Sequence, residues 1–259
     1  MKLLKIIILF IVVSQTYCSD FVQSETLKRE EIISHRKIFK YLIASGDNVS
    51  RVDYFTVRLK NNVSGFSKIE IKKSVSPEHV HVYEFQQDLF IKTPDGACIT
   101  AKVSAFLDLQ FTPLRITMKK EVITPENSRL GKIEHLILGK EEMKRIIVQH
   151  GQEHETQVAL PEEPYCFAIE GFLQFLDLNK VSWFKLHELN PQNGIPVQFY
   201  FLIRQKAAGD RVVTRKNRDG TIKQVLVLDK ENKLIRIEEQ NLVQTNISED
   251  QYNMLKKRF

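Results

Sequence analysis

Thirteen residues near the middle of the chain alternate between apolar and polar side chains with few exceptions. The apolar positions are Ile99, Ala101, Val103, Ala105, Leu107, Leu109 and Phe111. Successive side chains of a β-strand point to opposite faces, so this alternation predicts a strand with one buried and one solvated face. At about 3.3 Å per residue the strand would be about 43 Å long. Such a length favours a long curved sheet or a half-barrel.

Similar segments on both sides of this one predict further strands, separated by turn sequences such as Thr93-Pro94-Asp95-Gly96. They cover residues 55–60, the return strand through 69–71, 79–92, 114–122, 132–138, 143–150, 155–160, 197–204, 211–216, 223–228 and 234–238. Short connections favour antiparallel pairing of neighbours. The sequence therefore predicts a mainly β protein with minor α structure: a curved antiparallel sheet or half-barrel of about ten strands with one or two covering helices.

Two segments have the three-to-four spacing of an amphipathic helix. Residues 25–44 predict an N-terminal helix that ends before Gly46, and residues 165–178 predict a short helix rich in phenylalanine. We expect the chain to be organised as a signal peptide (1–18), a linker and N-terminal helix (19–48), a β-sheet domain (49–245) and a basic tail (246–259).

The N-terminus has the three parts of a secretory signal peptide. Lys2 and Lys5 precede an apolar run over residues 6–13, and Cys18 lies near the expected cleavage point. Eight apolar residues span about 12 Å as a helix, whereas a bilayer requires about 20 residues. We therefore expect a secreted or periplasmic protein without a stable membrane span.

The charge of the chain gives no indication of nucleic-acid binding. Removal of Lys2 and Lys5 with the signal peptide lowers the formal net charge from +6 to +4. Nucleic-acid-binding domains concentrate lysine and arginine on one face. The basic residues here are spread along the chain, apart from Lys256-Lys257-Arg258 near the end, so we expect no nucleic-acid partner.

Two cysteines, Cys98 and Cys166, would remain after cleavage at or beyond Cys18. An oxidising compartment permits a disulfide between them. Closing a loop of about seventy residues would stabilise the fold by roughly 4 kcal/mol on the chain-entropy model. The alternative is that both are unpaired thiols that pack as small apolar side chains.

Few segments carry residues typical of catalysis. His150, Glu153 and His154 match the H-x-x-E-H string of some zinc proteases, which requires both histidines on one face of a helix. Here the string contains a glycine and lies between predicted strands, which favours a hairpin tip. His79 and His81 share a predicted strand face, but a third metal ligand is not evident. We expect no enzyme activity, no metal and no cofactor.

The sheet has more apolar residues than one thin core requires. Small side chains among larger ones on the central strand would leave a hollow, which aromatic residues of the predicted helix and Trp183 would line or fill. The candidate ligand-binding residues are Ala101, Val103, Ala105, Leu107, Leu109, Phe172, Phe175 and Trp183. The alternative is that these side chains pack together as an ordinary core.

Residues 52–239 resemble a group of exported bacterial proteins of unknown function. The resemblance lies in the opening strand–turn–strand over residues 54–66 and in the closing hairpin over residues 225–238. These proteins are in turn similar to the periplasmic lipoprotein-carrier fold, a curved antiparallel sheet closed by helices. The resemblance implies the fold and export, and it carries over no catalytic residue.

The function that these features favour is non-covalent binding by an exported soluble protein. Its partner would be a lipid or another apolar ligand, or a protein or other component of the cell envelope. One alternative is a protein-interaction or scaffold module of the envelope or extracellular space. A less favoured alternative is a metal-dependent hydrolase built on His150, Glu153 and His154.

Overall fold

The computed structural model describes residues 32–42, 50–75, 81–126, 128–139, 141–160, 164–190, 195–206 and 209–259. The chain divides into the units Met1–Ile32 and Ile33–Phe259, and every described helix and strand belongs to the second. The predicted signal peptide (1–18), residues 19–31 and residues 43–49 lie outside the described residues.

The described residues form fourteen strands in one sheet. The strands are β1 (Ser50–Leu59), β2 (Asn62–Val75), β3 (His81–Lys92), β4 (Cys98–Leu107), β5 (Pro113–Ile123), β6 (Arg129–Leu138), β7 (Glu142–Gln149), β8 (Gln152–Ala159), β9 (Trp183–Leu189), β10 (Pro196–Gln205), β11 (Arg211–Lys216), β12 (Ile222–Leu228), β13 (Leu234–Glu239) and β14 (Leu242–Ile247). The order is β8-β7-β6-β5-β4-β3-β2-β1-β14-β13-β12-β11-β10-β9, and every neighbouring pair is antiparallel. The sheet is curved and unclosed, with β8 and β9 at its edges. The predicted mainly β fold is confirmed, with more strands than the ten expected.

Three short helices accompany the sheet within the described ranges. They are α1 (His35–Ile38), which continues as a 3₁₀ turn over Phe39–Tyr41, α2 (Ile169–Leu173) and α3 (Glu249–Arg258). Helix α2 confirms the short helix predicted within residues 165–178. Of the helix predicted over residues 25–44, the described part contains only α1 and the turn. Ile33 is extended there and forms a parallel bridge with Phe184 of β9.

The predicted basic tail contains helix α3. Ser248 and Gln251 form a capping box, in which each side chain bonds the other residue's backbone N–H. The Tyr252 ring packs 4.9 Å from that of Tyr54 and 5.3 Å from that of Phe66. The helix has few apolar residues, so its amphipathic pattern is weak.

One face of the sheet carries the core and is called the inner face below. It includes Phe55 of β1, Ile69 of β2, Phe85 of β3 and Leu107 of β4, all of which are buried. Strand pairing continues this face into β5 through the pair Ala105–Ile116. The alternation of side chains therefore assigns every second residue of these strands to the inner face.

Part of the inner face is covered by residues 164–182, called the central segment, which lead from β8 towards β9 and contain α2. Phe172 of this segment has no exposed surface, and its ring lies 5.1 Å from that of Phe111 and 5.8 Å from that of Phe39. The Gly171 position lies against Ile71 of β2. This part of the predicted hollow is therefore filled.

The long strand predicted over residues 99–111 ends at Leu107 and is followed by a turn. The Asp108 carboxylate accepts hydrogen bonds from the backbone N–H groups of Gln110 and Thr112, each at 2.8 Å. Phe111 has a positive φ of 61° and is completely buried, with its ring stacked 4.7 Å from that of Tyr83. Asp108 competes with strand pairing for the backbone donors and so ends the strand.

Strand β9 lies at an edge of the sheet, and two other segments form hydrogen bonds with its free edge, the one that does not pair with β10. The Ile33 N–H donates to the Trp183 carbonyl at 3.1 Å, and the Ile33 carbonyl accepts from Lys185 at 3.0 Å. The Cys166 N–H donates to the His187 carbonyl at 2.8 Å, and its carbonyl accepts from Leu189 at 2.9 Å. These bonds satisfy backbone groups that an edge strand otherwise leaves open to pairing.

Candidate ligand-binding site

Four of the predicted ligand-binding residues lie in the packed core. Ala105 and Leu107 on the inner face and Phe172 and Phe175 in the central segment are buried in one cluster. Phe175 packs 5.8 Å from Phe111, ring centre to ring centre. The aromatic side chains of the central segment thus occupy the space beside Ala105 and Leu107, and these four residues form a core there.

Two further predicted residues lie away from the inner face. Leu109 belongs to the Asp108 turn and is 47% exposed. Trp183 lies on the outer face, because its neighbour Phe184 is buried in the inner core and successive residues alternate. The Lys216 ammonium lies 5.9 Å from the centre of the Trp183 ring. The predicted placement of Leu109 and Trp183 on the inner face is therefore not observed.

Ala101 and Val103 lie on the inner face as predicted, and both remain partly exposed. Strand pairing places Leu89 of β3 opposite Ala101, Met118 of β5 opposite Val103, and Lys120 of β5 on the other side of Ala101. All five are partly exposed. We call Leu89, Ala101, Val103, Met118 and Lys120 the open patch, since all five stay partly exposed, although Val103 and Met118 also pack against the edge of the core cluster.

Lys120 is the charged member of the open patch, and burial lowers its pKa, with a further lowering by the nearby Lys132. Strand pairing aligns Lys120 with Lys132 of β6. The Lys132 ammonium is already paired with Glu134 at 2.9 Å, and Glu134 also binds Arg145. Within the described ranges, the ion pairs do not include one that joins Lys120 to a carboxylate.

The sequence prediction of the site missed Lys120, although a signal for it exists. The alternating positions of β5 are Ile116, Met118, Lys120 and Val122, and the other three are apolar. A charged residue that interrupts an otherwise apolar strand face is costly to bury unless it has a partner. Lys120 is therefore the best candidate for a functional residue on this face of β5.

A second polar group on the inner face joins β9, β11 and β12 to the central segment. Arg215 pairs with Glu188, and its guanidinium lies 3.8 Å above the Phe199 ring. Gln224 donates to the Glu170 carboxylate of α2 at 3.0 Å. The pKa of Glu188 is raised to about 7, because burial and the nearby carboxylate of Glu170 raise it by more than Arg215 lowers it. These contacts hold α2 against the sheet.

A third polar group forms hydrogen bonds with the C-terminal end of the central segment. Arg211 is buried and donates to the carbonyls of Asp229 and Lys230 at 3.1 Å and to the Asn179 side chain at 2.7 Å. Asn232 accepts from Arg211 at 2.9 Å and donates to the Leu176 carbonyl at 2.9 Å. A local sequence pattern does not indicate these bonds, because several of them join residues that are distant in the chain.

Cys98 and Cys166 are free thiols, so the disulfide candidate is not observed. Cys98 begins β4 and is followed by the inner-face residue Ile99, which places Cys98 on the outer face. Cys166 is completely buried in the inner core. The sheet thus separates the two cysteines. Burial raises the pKa of the Cys166 thiol well above its ordinary value.

The zinc-protease string lies at the β7–β8 hairpin and not on a helix. His150 and Gly151 form the turn, and Glu153 and His154 are successive residues of β8, so they point to opposite faces. Among the residues that the structure describes, no group of three or more His, Cys, Asp or Glu side chains is placed to hold a metal ion. His81 is exposed at the start of β3, and His79 lies outside the described residues.

His35 of α1 is a buried histidine whose hydrogen bond requires a neutral ring. Its Nδ1 accepts from the backbone N–H of His187 at 3.0 Å, and the two rings stack 5.9 Å apart. Burial lowers the pKa of His35 to about 4, and His187 adds to the lowering. Protonation of Nδ1 would remove the acceptor for the His187 N–H.

We expect His35 to make the protein less stable in mild acid. The unfolded ring titrates near 6.5 and the folded ring near 4. The unfolded state therefore binds more protons in this window, and stability is lost as the pH falls from 6.5 towards 4. Between pH 7 and pH 5 the free energy of unfolding should fall by about 2 kcal/mol from this residue.

Urea unfolding of the wild type and of His35→Gln at pH 7, 6 and 5 measures this loss. The variant should lack the His35 part of the pH dependence, so the difference in stability between the two proteins should shrink as the pH falls. A constant difference between pH 7 and pH 5 would contradict the prediction.

Of the helices among the described residues, none has the length and apolar character needed to cross a membrane.

Neither the protein-family models nor the curated proteins contain a match to this sequence. Among solved structures, the chain is similar to the crystal structure of a β-barrel-like protein of domain of unknown function DUF1849 from Brucella abortus. The TM-score is 0.49 at 7% sequence identity, and the match covers 79% of this chain and 98% of that chain. The resemblance to the lipoprotein-carrier fold stays a prediction.

Proposed function

We propose that this protein is a non-catalytic binding protein whose apolar ligand lies on the open patch. The observation that carries the proposal is the contrast along β4. Ala105 and Leu107 are buried by the central segment, whereas Ala101 and Val103 on the same face remain partly exposed. A contiguous, partly exposed apolar surface can mark the place where a ligand binds.

The composition of the open patch fits a flexible apolar chain. Ala101 is small and is paired with the larger Leu89 on one side and Lys120 on the other. Met118 is adaptable because its side chain has several rotatable bonds and a polarisable sulfur. Transfer of one CH₂ group from water contributes about 0.8 kcal/mol. A chain of about ten carbons therefore gains roughly 8 kcal/mol when fully buried, from which the cost of association is subtracted.

We further propose that the protein acts outside the cytosol, in the periplasm or as a secreted protein. This part rests on the apolar run over residues 6–13 and the basic residues before it. Fractionation of expressing cells, with and without deletion of residues 1–18, tests it. Retention of the full-length chain in the cytosol would contradict export without affecting the binding proposal.

Substitution of Ala101 by tryptophan should weaken ligand binding at least tenfold, because the indole would occupy the surface on which the ligand chain is proposed to lie. The measurement is the fluorescence titration of the purified protein with N-phenyl-1-naphthylamine, a neutral apolar probe. The matched control is Lys102→Trp, which places the same side chain on the next residue and on the opposite, exposed face. Circular dichroism establishes that both variants fold.

The proposal is supported if the wild type and Lys102→Trp bind the probe and Ala101→Trp does not. It is wrong if the wild type fails to bind, or if the folded Ala101→Trp protein binds the probe as well as the wild type does.

A scaffold module that contacts partners through the outer face is the second candidate, and the charges on that face favour it less. Lys68 pairs with Glu70 at 2.6 Å, and Lys72 pairs with Glu84 at 2.8 Å. Charges that already satisfy one another offer little to a partner.

A further inference from the structure

We infer that the ligand of the open patch is an anionic amphiphile whose acidic group is bound by Lys120 and whose apolar chain lies along Leu89, Ala101 and Val103. This inference rests on the proposed function and adds the chemical class of the ligand. The acidic group is a carboxylate, as in a fatty acid, or a phosphate, as in a phospholipid.

The position of Lys120 supports the inference. Strand pairing places it next to Ala101 on β4 and next to Lys132 on β6, with all three on the inner face. A lysine here extends from the same surface as the apolar side chains of the open patch. A ligand that lies along the open patch with its acidic end beside Ala101 would therefore have that group within reach of the Lys120 ammonium.

The charges around Lys120 favour an anion. The neighbouring Lys132 is engaged by Glu134, and Glu134 in turn binds Arg145. Glu134 is thus shared by two other cations, while the ion pairs of the described residues leave Lys120 without a carboxylate. Partial burial of a cation without a counter-charge is unfavourable, and the lowered pKa of Lys120 has the same cause. A bound acidic group would offset this cost.

The charge on the patch also disfavours other ligand classes. A cationic amphiphile would be repelled by Lys120 and Lys132, and a purely apolar molecule would leave the cost of burying Lys120 uncompensated. Specificity then arises from the penalty on the wrong ligand as well as from attraction to the right one.

The experiment compares three ligands with the same twelve-carbon chain: dodecanoate, dodecyl phosphate and dodecan-1-ol. Each displaces N-phenyl-1-naphthylamine from the purified protein at pH 7.5. We expect at least one acid to bind about tenfold more tightly than the alcohol. The stronger acid identifies the carboxylate or the phosphate as the preferred group.

Lys120→Met should lower the affinity for that acid about tenfold and leave the affinity for the alcohol unchanged. The matched control is Lys119→Met, because Lys119 is the preceding residue, is exposed and lies on the outer face. It should change neither affinity. The comparison of acid with alcohol on the wild type needs no variant, so it decides the inference even if Lys120→Met fails to fold.

Failure of this inference is distinguishable from failure of the proposed function. If the alcohol binds as tightly as both acids, or if the folded Lys120→Met protein retains the preference for an acid, the anionic ligand is wrong and the apolar site stands. If none of the three ligands displaces the probe, the open patch is not a ligand site and both proposals are wrong.

Discussion

Replacement of Phe172 by alanine is expected to lower the free energy of unfolding by about 3–5 kcal/mol, the usual cost of removing a buried phenylalanine side chain. Phe172 has no exposed surface and lies between the rings of Phe39 and Phe111. Phe111 in turn stacks on Tyr83 of β3. Removal of the Phe172 side chain would leave a cavity where the 3₁₀ turn over Phe39–Tyr41, the Asp108 turn and the central segment meet. The contacts among these three segments should therefore weaken together.

The measurement is urea unfolding followed by circular dichroism, with Phe259→Ala as the control. Phe259 is 37% exposed and packs on the outer face against Phe66 and Phe90. We expect its removal to cost less than 1 kcal/mol, since the ring is not enclosed. A loss below 1 kcal/mol for Phe172→Ala would show that the central segment does not form the core.

Replacement of Gly65 by alanine is expected to cost about 3 kcal/mol or more, the upper part of the range for inserting an atom into a packed site. A Cβ at this position would lie 1.9 Å from the carbonyl oxygen of Phe90 and 2.8 Å from its carbonyl carbon. These are backbone atoms of the paired strand β3, which cannot rotate away as a side chain can. Strands β2 and β3 would have to separate locally, and hydrogen bonds of the ladder near Ile91 would weaken.

Gly131→Ala is the control for Gly65→Ala, because Gly131 also lies in a strand, β6, and a Cβ there meets nothing within 4 Å. The control should be neutral or slightly stabilising, since alanine has fewer unfolded conformations than glycine. Thermal unfolding of both variants tests the prediction. Equal midpoints for the two variants would mean that β2 and β3 are not as close at Gly65 as described.

The strands could be predicted from the sequence because the period of two depends only on local side-chain order. The prediction failed where a distant or polar interaction decides the structure. Asp108 ends β4 by bonding the backbone of its own turn, which alternation of apolar residues does not show. Strand β9 was not predicted, and its contacts with Ile33 and Cys166 involve residues outside the strand's own local pattern.

The candidate site was predicted in part. The inner-face position of Ala101 and Val103 follows from alternation alone. Whether the space above a given inner-face residue is filled depends on where the central segment lies, and a local pattern does not contain this information. Ala105 and Leu107 consequently belong to the core although they share the strand face of Ala101. The alternation within β5 indicates Lys120 as an unusual residue, but its position beside Ala101 depends on the register between β4 and β5, which only the structure supplies.

The pairing of β1 with β14 determines when this sheet can be completed during protein synthesis. Asp53 and Asn246, which are hydrogen-bonded across this junction, are 193 residues apart in the chain. Among the described residues, β1 is the first strand to leave the ribosome and must wait for β14, which is the last, and such long-range pairing makes folding slow. Until then β1 offers an unsatisfied edge, so a nascent or prematurely terminated chain would be prone to aggregate through it.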